Sequence, residues 1–375
     1  MIVGTNKESK NHEYRVAILP SGVEALVGRG HEVLIERGAG AAAGWSDQEY
    51  QQAGARLVTD SAAVFSGADM VYKVKEPMPW EYGLLERDQL LFTYIHSGGN
   101  RPLCDALLER GTWGIAFEDV LLDDGRLPLL EPMSTIAGYM GMVKGFELLQ
   151  PLLGGPGLLP GGIPGIQPTR VLVLGGGFVG AGAIQVAHGL GAEVTVLDLD
   201  LERLAELAER FPRARTLLSN AANIRACLAQ TDVLVNAVMW PQGRDGHLVT
   251  REMLGLMPAG AVIVDVAADV RGALETCERQ TTHDDPVYQV DGHPHYVVAN
   301  IPSLAARSAS EALAGVTLPY CIELADKGPR GALLDNVPLR RGLTCLAGRM
   351  VRESTARWYG CASWSDAGVV EFLRA

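Results

Sequence analysis

The sequence predicts an α/β protein built from two doubly wound sheets, and three observations carry that expectation. In the first half, short apolar runs alternate with helical stretches. A Gly/Pro-rich segment over residues 154–165 interrupts the chain, and a second alternating region runs from Thr169 to about Asn300. A βαβα order implies parallel strands, because each crossover lays a helix on the sheet face. At 375 residues the chain has room for two or three domains of roughly 100–200 residues each.

Taken in order, Arg15-Val16-Ala17-Ile18-Leu19 leads into Pro20, and Ser21 can cap a helix running to about Arg29. Residues 31–36 read as a strand by alternation and 60–65 as a helix. Residues 68–74 suit a strand ending near Lys75, and 90–95 suit another ending at His96. A long helix is expected over 134–149, followed by the Gly/Pro-rich link. In the second region, 193–197, 231–238 and 260–267 read as strands, and the chain after about Pro302 reads as helical with no further strand series.

Composition narrows the function classes. Hydrophobic residues make up 47% and charged residues 20%, a globular balance, and the net charge is -12. That charge argues against a nucleic-acid or anionic-membrane footprint, which needs clustered Lys and Arg. The six cysteines are scattered without a CxxC pair, so neither a zinc site nor a disulfide framework is signalled, and no metal is expected. The opening residues are polar by the fifth position, unlike a secretory signal. No apolar run reaches the roughly 18 residues of a membrane span. A soluble, cytoplasmic protein is expected.

The strongest local motif is Val171-Leu172-Val173-Leu174-Gly175-Gly176-Gly177-Phe178-Val179-Gly180. A bare GxGxxG is weak, but here it follows an apolar strand and opens a helix, the context of a Rossmann-like dinucleotide site. Gly175 permits the tight turn, Gly177 lets backbone approach a pyrophosphate at the helix N-terminus, and Gly180 lets helix and strand pack closely. The next strand ends at Asp198, where an acid binds the adenosine ribose and repels a 2′-phosphate, favouring NAD over NADP. Asp200 is the fallback. A plain strand-to-helix turn, or an SAM or FAD site, are the alternatives.

Polar residues just past the carboxyl ends of parallel strands are the default ligand contacts, and Lys75 and His96 stand there. Hydride chemistry on a small keto or imino acid needs a cation for the carboxylate, a donor to the carbonyl, and a proton carrier. Arg15 suits the first role, Lys75 the second and His96 the third, with Asp269 able to accept from an ammonium or carbinolamine. Each has a plainer alternative as a surface cation, a solvated lysine or a structural histidine.

Five segments bear on that choice. Residues 6–20 resemble the opening signature of the alanine dehydrogenase and nicotinamide-nucleotide transhydrogenase family. Lys73-Val74-Lys75-Glu76-Pro77 is similar to its second signature, and Leu91-Phe92-Thr93-Tyr94-Ile95-His96 to its third. Thr281-Thr282-His283-Asp284-Asp285-Pro286-Val287-Tyr288 and Val298-Ala299-Asn300-Ile301-Pro302 resemble late segments of the alanine dehydrogenase branch. The resemblance runs from about residue 1 to 370. It implies that Arg15 binds the substrate carboxylate and Lys75 the keto oxygen, that His96 is the acid/base, and that Asp269 is the second essential polar group. It implies a substrate pocket lined by Tyr94, Met133 and Asn300. Ser134, Phe178, Val179, Ser219, Val238 and Met239, with Asp269 and Asn300, would line the cofactor crevice beside Gly175, Gly177, Gly180 and Asp198. The implied architecture is a discontinuous catalytic domain, residues 1–130 and 303–375, with an NAD-binding domain, residues 131–302, inserted. A homo-oligomer, a hexamer, is implied, acting on an amino acid, its 2-keto acid and ammonia.

Departures from the family pattern cluster near this chemistry. Ser97-Gly98-Gly99-Asn100 replaces small apolar residues after His96, and Val270-Arg271-Gly272 replaces Gln-Gly-Gly after Asp269. Thr135-Ile136-Ala137-Gly138-Tyr139 and residues 304–310 also differ. They suggest a substrate other than alanine, with Arg271 meeting an extra anionic group or simply facing solvent. A transhydrogenase subunit, a lysine-pathway or opine-type dehydrogenase coupling an amine to a keto acid, and a non-catalytic NAD sensor are the alternatives.

Overall fold

The computed structural model describes residues 1–241 and 244–375. The strands are, in chain order, β1 Ile2–Thr5, β2 Glu32–Glu36, β3 Arg56–Val58, β4 Met70–Tyr72, β5 Leu90–Thr93 and β6 Trp113–Ala116; then β7 Arg170–Leu174, β8 Glu193–Asp198, β9 Arg215–Leu218, β10 Val233–Asn236, β11 Val262–Asp265, β12 Val287–Val290 and β13 His293–Tyr296; and finally β14 Leu343–Leu346 and β15 Arg349–Met350. The chain forms two compact units, Met1–Pro132 with Ala305–Ala375, and Met133–Leu304.

The first unit carries an eight-stranded sheet in the order β15-β14-β6-β5-β4-β1-β2-β3. β1 to β6 pair in parallel, and β14 adds antiparallel to β6. The chain winds from β1 to β2 and β3, then crosses back to β4 on the other side. The switch therefore lies between β1 and β4, and the crevice at the carboxyl ends there is where such sheets bind ligands. Arg15 follows β1, Lys75 follows β4 and His96 follows β5. Val71, Leu91, Ile95, Leu103 and Leu107 form part of the core beneath them.

The second unit has a seven-stranded sheet, β12-β13-β11-β10-β7-β8-β9, parallel except for the β12–β13 pair. Alternation along β7 divides its two faces: Val171 and Val173 enter one core and Leu172 and Leu174 the other. The switch falls between β7 and β10, at Gly175 and Ala237. Small residues let the helices Glu131–Glu147 and Phe178–Gly189 touch through backbone. A Cβ on Gly138 would stand 1.8 Å from the Val179 carbonyl oxygen, and one on Gly182 2.3 Å from that of Thr135.

Two expectations need correction. The chain beyond Pro302 does hold strands: β14 and β15 form a hairpin whose turn places Ala347 and Gly348 at positive φ. Runs of four and two residues are too short for periodicity to reveal. The helix Pro20–Val27 starts on Pro20 with Leu19 before it, so Ser21 is not its cap. Proline at the first position needs no N–H partner, which makes a side-chain cap less necessary. Where Asp60 precedes the helix Ser61–Gly67 it does cap, accepting from the Ala63 N–H.

Candidate active site

In the first unit, buried carboxylates fix the candidate residues. Oε1 of Glu8 accepts the backbone N–H groups of Val74 (2.6 Å) and Lys75 (3.3 Å). Its Oε2 stands 3.3 Å from the fully buried Lys73 ammonium, which is also 3.8 Å from Glu81. Glu13 grips Arg15 along one edge, accepting from Nε at 2.7 Å and Nη2 at 2.6 Å, and folds back onto the Arg15 N–H at 3.0 Å. Burial pulls the Arg15 pKa down, but Glu13 more than offsets this and the guanidinium stays charged.

Lys75 Nζ lies 3.1 Å from His96 Nε2. A lysine ammonium can only donate, so Nε2 accepts and the ring proton belongs on Nδ1. Burial lowers the Lys75 pKa to about 8; Glu76 opposes that shift, and Arg15 and Lys10 reinforce it. Crowding by protein atoms, then the Lys75 charge, hold the His96 imidazole well below its usual range, although its side chain keeps 47% exposure. Tyr94 stacks on the His96 ring, 5.8 Å between centroids and 6° between planes, and donates its hydroxyl to the Leu129 carbonyl at 2.6 Å. Arg15, Lys75, Tyr94 and His96 thus form one cluster, with two basic side chains and an imidazole able to take up or release a proton. A cation pair suits a carboxylate, and the Lys75–His96 contact suits a carbonyl whose oxygen must gain or lose a proton.

The departures beside His96 have a structural use. The 3-10 turn Ser97–Gly99 is tied to the helix Glu353–Tyr359: Ser97 Oγ pairs with Thr355 Oγ1 at 2.7 Å, and the Tyr359 hydroxyl donates to the Ser97 carbonyl. Asn100 caps the helix Arg101–Arg110 through the Leu103 N–H.

In the second unit, a pocket of about 530 Å³ is lined by Gly175, Gly177, Asp198, Ser219, Val238 and Met239, among others. Gly175 holds φ +90°. A Cβ on Gly180 would meet the Gly175 carbonyl oxygen at 1.9 Å, whereas one on Gly177 would meet no protein atom within 4 Å. The fold itself therefore demands Gly180, while the bare backbone at Gly177 leaves an open cradle. Asp198 accepts from Gly176 N–H at 2.5 Å and Asp200 N–H at 3.0 Å. Asp200 caps the helix Leu201–Arg210, which makes it structural.

Asp269 sits on the loop after β11. Its Oδ2 accepts the Trp240 N–H at 3.2 Å, and Trp240 borders the same pocket. Burial raises the carboxyl's pKa. The buried Asp265 anchors this loop, accepting from the Ala268 N–H at 3.2 Å and Asn236 Nδ2 at 2.8 Å. Arg271, with φ +48°, is exposed, and its N–H donates to the Cys277 carbonyl. Of the residues expected in the cofactor crevice, Ser134, Phe178, Val179, Asp269 and Asn300 are not among those lining this pocket. Ser134 and Met133 lie on the helix Glu131–Glu147, Phe178 and Val179 open the helix Phe178–Gly189, and the Asn300 carbonyl pairs with His283 Nε2 at 3.0 Å. The carboxylates Glu8, Glu13 and Glu118 escaped the sequence reading. Only Glu13, two residues from Arg15, carried a local signal.

The open cradle at a helix N-terminus, followed by an acid at the end of the next strand, fits a dinucleotide lacking a 2′-phosphate. Fold and site together define an NAD-dependent dehydrogenase.

Comparison with known proteins gives the family. The descriptions Alanine dehydrogenase/PNT, N-terminal domain and C-terminal domain match residues 4–137 and 141–353. An alanine dehydrogenase of Methanococcus maripaludis is 46% identical over 95% of this chain and 96% of its own. A solved L-alanine dehydrogenase superposes with a TM-score of 0.91 at 43% identity, covering 96% of this chain and 99% of that one. A transhydrogenase from Sinorhizobium meliloti gives 0.77 at 26% identity, covering 94% and 100%. The chain belongs to the alanine dehydrogenase/PNT family. Among the described residues no helix is long and apolar enough to cross a membrane.

Proposed function

We propose that the protein catalyses reversible oxidative deamination of L-alanine: alanine, NAD⁺ and water give pyruvate, ammonium, NADH and a proton. The observation that carries the reading is the Lys75–His96 contact at 3.1 Å beside buried Arg15. Identities of 43–46% to alanine dehydrogenases support it. NAD would be held by Gly175, Gly177, Asp198, Ser219, Val238 and Met239, and its nicotinamide would supply the hydride acceptor or donor.

In the reductive direction Arg15 binds the keto-acid carboxylate, its guanidinium plane set by Glu13. Lys75 donates to the keto oxygen and polarises the carbonyl for ammonia. His96 gives the carbinolamine hydroxyl the proton with which it leaves as water, and Asp269 is the second proton-handling group. The substrate's negative charge, arriving beside Lys75 and His96, raises the pKa of both and makes His96 a competent acid. Residues 1–130 and 303–375 are the proposed substrate domain, and 131–302 the NAD domain.

The test is NADH oxidation with ammonia and a panel of 2-keto acids led by pyruvate. Pyruvate is expected to be preferred, since Ser97 and Asn100 are engaged with helices and Arg271 is exposed. Preference for a larger keto acid would revive the altered-specificity reading. Turnover with another amine in place of ammonia would indicate the opine-type reaction. We also infer a cytoplasmic homo-oligomer, a hexamer, supported by the family resemblance and checked by light scattering.

Lys75 sets a pH limit. A lysine is charged below its pKa, so the keto-acid 1/KM is expected to be flat below about 8 and to fall about tenfold per unit above it. Lys75→Arg should flatten that limb. A 1/KM unchanged well above pH 8 in the wild type would contradict the role.

A further inference from the structure

Glu118 lies on the 3-10 turn Phe117–Asp119 that follows β6. β5 and β6 run parallel with Thr93 opposite Ala116, so the chains leaving them emerge side by side. His96 turns into the left-handed region, φ 52° and ψ 44°, which L side chains disfavour. Glu118 receives the N–H groups exposed by that turn: Oε1 accepts from Ile95 at 3.1 Å and His96 at 2.5 Å, and Oε2 from Ile95 at 3.3 Å. Oε1 also stands 3.9 Å from His96 Nδ1, too far for a hydrogen bond but within ion-pair range. On the other side of the ring, Nε2 meets Lys75.

We propose that Glu118 is a positioning residue for this reaction: its carboxylate holds the turn that carries His96 and faces Nδ1, so that Nδ1 keeps the proton and Nε2 is the working nitrogen. The proposal rests on His96 being the proton carrier. Other charged groups acting on the ring are Lys75, Glu76, Lys10 and Arg15. Asp119 adjoins Glu118 on its own turn and pairs with Arg352 at 2.8 Å. Burial, then Asp119, push the Glu118 pKa up to about 7, while the Ile95 and His96 N–H groups oppose that rise. Its charge is therefore lost as pH falls through neutrality, and the support of the Nδ1 side weakens with it.

Glu118→Gln and Glu118→Asp test this, by kinetics across pH and by the ¹⁵N shifts of the His96 ring, assigned by their loss in His96→Ala. Gln is expected to lower kcat about 10- to 100-fold, with KM changed less than about threefold. It should move the pKa above which kcat for reductive amination falls, where His96 loses its acidic proton, down by about one unit, because a negative charge near the imidazolium is gone. It should also populate the Nε2–H tautomer. Asp should recover part of kcat and of the Nδ1–H form; if Gln fails to fold, Asp carries the same readouts as a partial change. A folded Glu118→Gln with the wild-type tautomer and pH profile overturns the proposal, whatever its melting temperature. The tautomer is read without turnover, so it decides the point even if every keto acid proves inert, an outcome that would sink the functional reading instead.

Discussion

Replacing His96 by alanine is expected to lower kcat for reductive amination by about a thousandfold, the middle of the range for a positioned acid or base. The keto-acid KM should change far less, because Arg15 and Lys75 carry the binding and Glu13 and Glu8 hold them independently of His96. The His96 side chain keeps 47% exposure and its loss forgoes the stacking on Tyr94 but no core packing, so the variant should fold. Steady-state kinetics with pyruvate, ammonia and NADH separate the two constants. A kcat within tenfold of wild type would assign the proton transfer to another group, with Asp269 the first to examine.

The second large effect separates two glycines that a sequence pattern treats alike. Gly180→Ala would drive a Cβ to 1.9 Å from the Gly175 carbonyl oxygen, a backbone atom in a turn already at φ +90°. Neither partner can yield without moving the turn, so a loss of about 3 kcal/mol in stability is expected together with loss of NADH binding. Gly177→Ala places its Cβ in space free of protein atoms within 4 Å. Its stability should match wild type while the NADH Kd rises about 10- to 100-fold, equal to roughly 1.4–2.8 kcal/mol of binding. Urea unfolding and NADH fluorescence titration measure both. Tight NADH binding by Gly177→Ala would show that the cradle is not where the dinucleotide phosphates lie.

The contrast between these glycines marks how far the sequence could be read. Strand, glycines, helix and acid at 171–198 are local, and their order alone revealed a dinucleotide turn. Lys75 and His96 stood out as candidates because parallel sheets present ligand contacts at the carboxyl ends of their strands. Asp200, plausible by position as a ribose ligand, is a helix cap, a distinction that depends on which N–H groups its carboxylate meets. The changes after His96 read as a rewritten pocket, yet Ser97 is bound to Thr355, 258 positions later on the helix Glu353–Tyr359.

By itself the sequence determined the two α/β units and the dinucleotide turn, because these follow from short-range periodicity and motif order; the candidate residues of the proposed chemistry came from strand ends and the family resemblance. Only the tertiary structure decided which carboxylate binds the backbone at which candidate residue: Glu8 reaches Lys75 across 67 positions and Glu118 reaches His96 across 22. It also decided that a hairpin from the chain's far end closes the first sheet. The physical reason is the same throughout. A buried carboxylate is stable only where the fold brings N–H donors or a cation to it, and partners joined through space leave no periodic trace along the chain.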